Sequence, residues 1–287
     1  MSQAQGGYYL PGPSHWPIVG SIGLAFLLGG FAHFLHGESD IYMFIGAAIM
    51  ILMFFGWFGT VIRESQSGKF NDQVDMSFRM SMVWFIFSEV MFFAAFFGAL
   101  FYARELSIPW LGGAGNNAMT NELLWKGFEA TWPSNGPKHV GGTFETVDAW
   151  GIPAWNTLIL LTSGLTVTWA HWGLKKNNRG QLILGLFLTV ALGALFVGLQ
   201  IHEYGHAYSE LNLKLTSGIY GTTFFMLTGF HGLHVTIGAI MLLVMLIRSI
   251  KGHFTPKHHF AFEAAAWYWH FVDVVWLGLF IFVYWLA

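Results

Sequence analysis

Cysteine is absent from this 287-residue chain, and charge is scarce: Asp, Glu, Lys and Arg make up 10% of the residues, against roughly 25% in soluble domains. The missing cysteines exclude disulfides, thiolate metal sites, iron–sulfur clusters and cysteine nucleophiles together. Any redox chemistry is left to histidine or to a bound cofactor. A formal net charge of −2 without a long Lys/Arg run excludes the phosphate-tracking surface of a nucleic-acid binder. The opening MSQAQGGYYLPGPSHWP lacks a basic n-region and a small-residue cleavage site, so no removable signal peptide is expected and the first span is read as an anchor.

What is present is apolar. Hydrophobic residues make up 55% of the chain and aromatics 18%, which marks an integral membrane protein. Runs of about 20 apolar residues fall near 16–36, 41–62, 78–103, 152–173, 181–202, 218–247 and 262–286. The expectation is an all-α bundle of seven membrane helices. Residues 1–77 hold the first two helices and an inner loop, and 78–287 hold helices three to seven. A tight turn at Gly37, Glu38, Ser39 and Asp40 joins the first pair. GGAGNN (112–117) and WPSNGP (132–137) break the long connection of 104–151.

Basic residues gather in the cytoplasmic loops of membrane proteins. Arg63, Lys69 and Arg79, then Lys175, Lys176 and Arg179, then Arg248, Lys251 and Lys257 lie in three loops on one side, nine of the thirteen. That side is read as inside, which puts the N-terminus inside and the C-terminus outside.

FIFSEVMFF (85–93) sets a carboxyl among phenylalanines: Glu89 is the one formal charge between Arg79 and Arg104. An ionised carboxylate in lipid costs several kcal/mol. Its helical neighbours Phe85, Phe92 and Phe93 offer no cation, so Glu89 is either protonated or paired with a group on another helix or subunit. A neutral carboxyl bonded within the bundle and a proton-handling or regulatory role both stand.

The last span carries Glu263, His270 and Asp273. At 100° per residue Glu263 and His270 nearly align, and Asp273 lies about 60° round. One face is therefore polar and requires protein or water, as in a hydrogen-bonded seam. HGLH (231–234) sets His231 and His234 at i, i+3, close enough in direction to serve one site, with His270 and Glu263 as further candidate ligands. Histidine in a tryptophan-rich membrane bundle more commonly bonds between helices, and no metal is expected on these side chains. His258 and His259 read as a solvated pair facing lipid headgroups. At the helix ends, Trp57, Arg63 and Glu64, with Arg248, Lys251 and His253, suit either ordinary positive-inside anchoring or a phospholipid headgroup site.

FIFSEVMFF (85–93), NTLILLTSGLTVTWAHW (156–172), YGTTFFMLTGFHGLHVTIGAIML (220–242) and FEAAAWYWHFVDVVWLGLFIFVYW (262–285), in that order, with SHWPIVGS (14–21) and VIRES (61–65), resemble subunit III of the haem-copper cytochrome c oxidases. The resemblance covers nearly the whole chain. It implies a subunit with no catalytic residue and no haem or copper of its own, in an aa3-type oxidase whose partner subunits I and II hold those cofactors. Such a complex oxidises cytochrome c, reduces O2 to water and pumps protons across a bacterial-type cytoplasmic membrane. The resemblance also implies that helices one and two are splayed from helices three to seven around structural phospholipids. It makes Trp57, Arg63, Glu64, Phe85, Arg248 and His253 lipid-contacting positions and Glu89 a buried, carbodiimide-reactive carboxylate; the expectation for Glu89 is protonation at rest, tuning either proton uptake or the stability of the neighbouring subunit. O2 access through the lipid cleft is a further implied role.

Three other classes remain, one of them a seven-helix receptor, for which spans five to seven carry no ligand-pocket signature and helix count alone is a weak argument. A stand-alone proton-coupled transporter would use Glu89, His270 and Asp273 as its relay, and a haem-carrying subunit would use His231, His234 and His270. The long outer connection 104–151 reads either as a surface insertion or as an extended contact with another subunit or cytochrome c.

Overall fold

The structure, a computed structural model, describes residues 8–287. The first seven residues, and with them part of the signal-peptide reading, lie outside the described ones. Seven long helices are present among the described residues: α1 Trp16–Leu35, α2 Ile41–Gln66, α3 Asp72–Tyr102, α5 Ile152–Lys175, α6 Arg179–Ser209, α7 Gly218–Ile250 and α8 Phe260–Leu279. A single turn, α4 (Ile108–Leu111), follows a π-helical extension of α3 (Ala103–Ser107); two further π-helical stretches are Thr120–Leu124 and Phe280–Trp285, the latter continuing α8. No strand is present among the described residues.

Most helices outrun the apolar stretches that announce them. α2 continues to Gln66 and α6 to Ser209, because the backbone ladder closes with any side chain attached while the hydropathy signal stops at the first charges. The ends follow local chemistry. Pro17 and Pro153 sit in the first turns of α1 and α5, where an N–H would have no intrahelical partner. Asn178 caps α6, its side-chain oxygen accepting from the Gln181 N–H at 3.1 Å. Gly37, at φ +79°, ends α1 in the left-handed conformation, and the Glu38 N–H reaches back to the His33 carbonyl at 3.1 Å.

Six of the seven long helices are both long and apolar enough to cross a membrane. The exception is α5, which has the length but carries Asn156, Thr157, Thr162, Ser163, Thr166 and Thr168. Its polarity is compatible with a bundle position because Asn156 and Ser163 are fully buried in protein. A helix that turns its polar residues to other helices needs less apolar character than one surrounded by lipid.

The chain divides into two compact units, Met1–Phe78 and Arg79–Ala287. In the first, α1 packs on α2 at a small-residue contact. A Cβ added at Gly30 would run into the Tyr42–Met43 backbone, and one at Gly46 into the Phe26–Leu27 backbone. The two helices therefore approach at backbone distance, the usual basis of association where lipid and side chains are equally apolar. Trp16 on α1 also donates its indole N–H to Thr60 on α2 at 3.3 Å.

In the second unit α5, α6, α7 and α8 form a neighbouring set, with α8 touching both α5 and α7. Two fully buried tryptophans of α8 anchor it. Trp269 donates to Ser163 at 2.8 Å and Trp276 to Thr157 at 2.9 Å, both on α5. Gly193 and Gly238 leave room for the Trp269 ring, since a Cβ at either would collide with it. The connection 104–151 is docked by backbone bonds: the Glu145 N–H donates to the Leu211 carbonyl at 2.9 Å, and the Tyr220 N–H to the Ser134 carbonyl at 3.2 Å. Phe144 stacks on Tyr220.

Gly46→Leu forces α1 and α2 apart and is expected to destabilise their packing by about 1–3 kcal/mol, read as a lower midpoint of thermal aggregation in detergent. Gly59→Leu, at an α2 position open within 4 Å, should leave that midpoint unchanged.

Candidate functional site

Glu89 has a partner on another helix. Its Oε2 lies 2.9 Å from Nε2 of His234 on α7, and the carboxyl side chain is 22% exposed. Phe93 packs on the same imidazole, and Phe92 packs against Phe230 one turn away. The other ring nitrogen fixes the tautomer. His234 Nδ1 is 2.6 Å from the Phe230 carbonyl, and a carbonyl oxygen only accepts, so Nδ1 carries a hydrogen. Nε2 and Oε2 then need one proton between them, because two lone pairs at this distance repel. The pair is either carboxylic acid with neutral imidazole or carboxylate with imidazolium. Both states are neutral overall, which suits a site in a membrane helix.

The i, i+3 spacing of HGLH allowed His231 and His234 to serve one site, but the structure sends them apart. At 3.6 residues per turn they diverge by 60°, enough to face different neighbours in a packed bundle. His231 is buried against Phe196 and Trp276, and neither of its ring nitrogens has a hydrogen-bond partner among the described residues.

The polar face of α8 divides in the same way. His270 is 46% exposed on its side chain and bonds Thr168 of α5 through Nε2 at 3.2 Å. Its Nδ1 is 3.6 Å from Oδ2 of the buried Asp273, a carboxyl that fits because residue 164 is glycine: a Cβ there would collide with Oδ2. Glu263, two turns earlier, belongs to a different group. Arg79 of α3 pairs with its Oε2, while Nε2 of His171 lies 3.4 Å and Nε2 of His259 3.7 Å from its Oε1. His259 was expected in solvent beside His258. Only His258 is exposed; His259 is 8% exposed, tucked in just ahead of α8.

The positions implied to contact lipid fall in both units. In the first, Trp57 is 40% exposed, and Arg63 donates to Thr60 at 3.2 Å. Glu64 is half-buried on the following residue. In the second, Phe85 is exposed and stacks on Tyr268. Arg248 is 6% exposed, its guanidinium lies 4.5 Å from the Phe254 ring centre, and its Nε has no hydrogen-bond partner among the described residues. The His253 N–H closes the turn onto the Arg248 carbonyl at 3.0 Å. Burial, with the positive charges of Arg248 and Lys251 beside it, holds the His253 imidazole below the usual histidine pKa.

One buried acid escaped the sequence reading because it lies just past the end of its apolar run. Glu203 on α6 is 1% exposed, and its Oε1 accepts from Gln200 at 2.9 Å and from Tyr284 at 2.7 Å. Gln200 Oε1 in turn faces the Asn156 amide at 3.4 Å. The signal was available: Gln200 and Glu203 stand at i, i+3 on one helix, a spacing at which side chains meet.

The family model for cytochrome c oxidase subunit III matches residues 6–287. Proteins named cytochrome c oxidase subunit 3 from Dugong dugon and Petromyzon marinus are each 41% identical over 286 residues, 99% of both chains. The one from Equus caballus is 39% identical over the same length and shares. These likenesses do not favour the stand-alone transporter. The chain is a multi-pass membrane protein and belongs to the cytochrome c oxidase subunit III family.

Proposed function

We propose that this chain is the non-redox core subunit of an aa3-type cytochrome c oxidase, where it stabilises the catalytic subunit I, packs with subunits I and II, and retains phospholipid. The match over residues 6–287 carries the reading. Haem and copper belong to the partner subunits, and electrons from cytochrome c do not pass through this chain. The concentration of Lys and Arg in three loops supports a cytoplasmic placement of those loops and of the N-terminus, in a bacterial-type inner membrane.

The Glu89–His234 pair supports a second role, in proton uptake. With Nδ1–H committed to the Phe230 carbonyl, the one proton this pair holds moves between Oε2 and Nε2 without any rearrangement of the backbone. Glu89 is the neutral acid at rest, and it exchanges its proton when the neighbouring subunit draws one. Glu89→Gln separates this from a structural role. A glutamine amide donates to Nε2 as the acid would, but carries no exchangeable charge. The expected outcome is an intact complex with slower proton uptake and a shorter working lifetime before inactivation. Unchanged turnover, uptake and lifetime would reduce Glu89 to a packing residue, and Glu89→Ala, which also loses the hydrogen bond, should additionally loosen the subunit.

Arg248 supports the phospholipid role. Arg248 is nearly buried, and its Nε has lost water without gaining an acceptor among the described residues; a lipid phosphate supplies one. Arg248→Gln is expected to lower the phospholipid that co-purifies with the complex, measured by phosphorus assay, while haem content stays the same.

A further inference from the structure

Three side chains, from α5, α8 and the α7–α8 connection, converge without hydrogen-bonding one another. His171 near the end of α5, His259 just before α8 and Glu263 in the first turn of α8 each present one donor atom, and all three atoms lie within 4.8 Å of one another. The distances are wrong for hydrogen bonds. His171 Nε2 is 3.4 Å and His259 Nε2 3.7 Å from Glu263 Oε1, and both Nε2 atoms are buried with no hydrogen-bond partner among the described residues.

The same distances suit a shared cation. Ligands held at roughly 2.0–2.1 Å around tetrahedral zinc are separated from one another by about 3.4 Å. The two measured nitrogen–oxygen edges sit within a few tenths of an ångström of that value.

Two of the three ligands are oriented from behind. His259 Nδ1 lies 3.1 Å from the Thr255 carbonyl, so its hydrogen is on Nδ1 and the Nε2 lone pair points into the cluster. A carbonyl behind a ligating imidazole is the usual outer-shell support. Arg79 takes Glu263 Oε2 and so turns Oε1 toward the imidazoles.

From this geometry we infer that His171, His259 and Glu263 form a binding site for a zinc-class divalent metal ion, with a fourth position open to water. Two imidazoles and one carboxylate favour zinc over calcium or magnesium, which take oxygen ligands, and the absence of thiolate disfavours copper(I). The bound ion fastens the end of α5 to the α7–α8 connection. Arg79 and Lys175, one turn beyond His171, bring positive charge near the ion, so binding is reversible and weaker than in a structural site with several anionic ligands.

The test uses the full-length chain purified in detergent and stripped with a chelator, so its outcome does not depend on the oxidase reading. The probes are zinc chloride in equilibrium dialysis and cobalt(II) chloride in the visible spectrum. The wild-type chain should take up one zinc per chain at this site and develop the ligand-field bands of tetrahedral cobalt. His259→Gln and His171→Gln should each lower the affinity at least tenfold and abolish those bands, whereas His258→Gln, at the exposed neighbour, should change neither. Equal zinc uptake by the wild type and both ligand variants would overturn the site. Should either variant fail to fold, the wild-type chain decides alone: X-ray absorption showing a shell of two imidazole nitrogens with carboxylate oxygen supports the site, and absence of that shell overturns it.

Discussion

Lipid offers no hydrogen bonds, and most of this structure is a response to that. A polar side chain inside the bundle must find its partner on another helix, and each such pairing fixes how two helices meet. Trp269 and Trp276 bury large apolar rings, yet each indole N–H still needs an acceptor, and Ser163 and Thr157 supply them. The consequence reaches back to composition. α5 reads as the least apolar of the long helices because it is the one that provides these acceptors, with Asn156, Thr166 and Thr168 adding bonds to α6 and α8.

The same constraint organises the acids of the second unit. Glu89, Glu203 and Glu263 sit in helices that hydropathy alone would keep free of charge, and each is met differently. Glu89 shares a proton with one imidazole, Glu203 accepts from neutral donors, and Glu263 faces a guanidinium and two imidazoles. Only the first pairs one acid with one imidazole, so a proton can move within it without changing the charge of the pair. The third has surplus donor atoms for the charge it holds, which is why it suits a metal ion.

Glycine supplies the complementary device. Where a large or charged side chain must come close, a missing Cβ makes the space: Gly164 for Asp273, Gly193 and Gly238 for Trp269, and Gly30 and Gly46 for the backbone contact of α1 with α2. Those packing contacts make up for the weak hydrophobic drive between helices that lipid already surrounds.

Sequence by itself determined the class, the seven long helices, their order and the special standing of Glu89, because apolar run length and a lone charge within one are properties of the chain read in one dimension. It also carried the family, through four long motifs in fixed order. Partners were another matter. That Glu89 meets His234 across 145 positions, that His231 and His234 part company, and that His259 leaves the solvent to face Glu263 and His171 were decided by tertiary structure. Spacing along one helix fixes direction to within tens of degrees, whereas a hydrogen bond or a metal ligand set requires atoms from different helices to agree within tenths of an ångström, and only the packed bundle sets that distance.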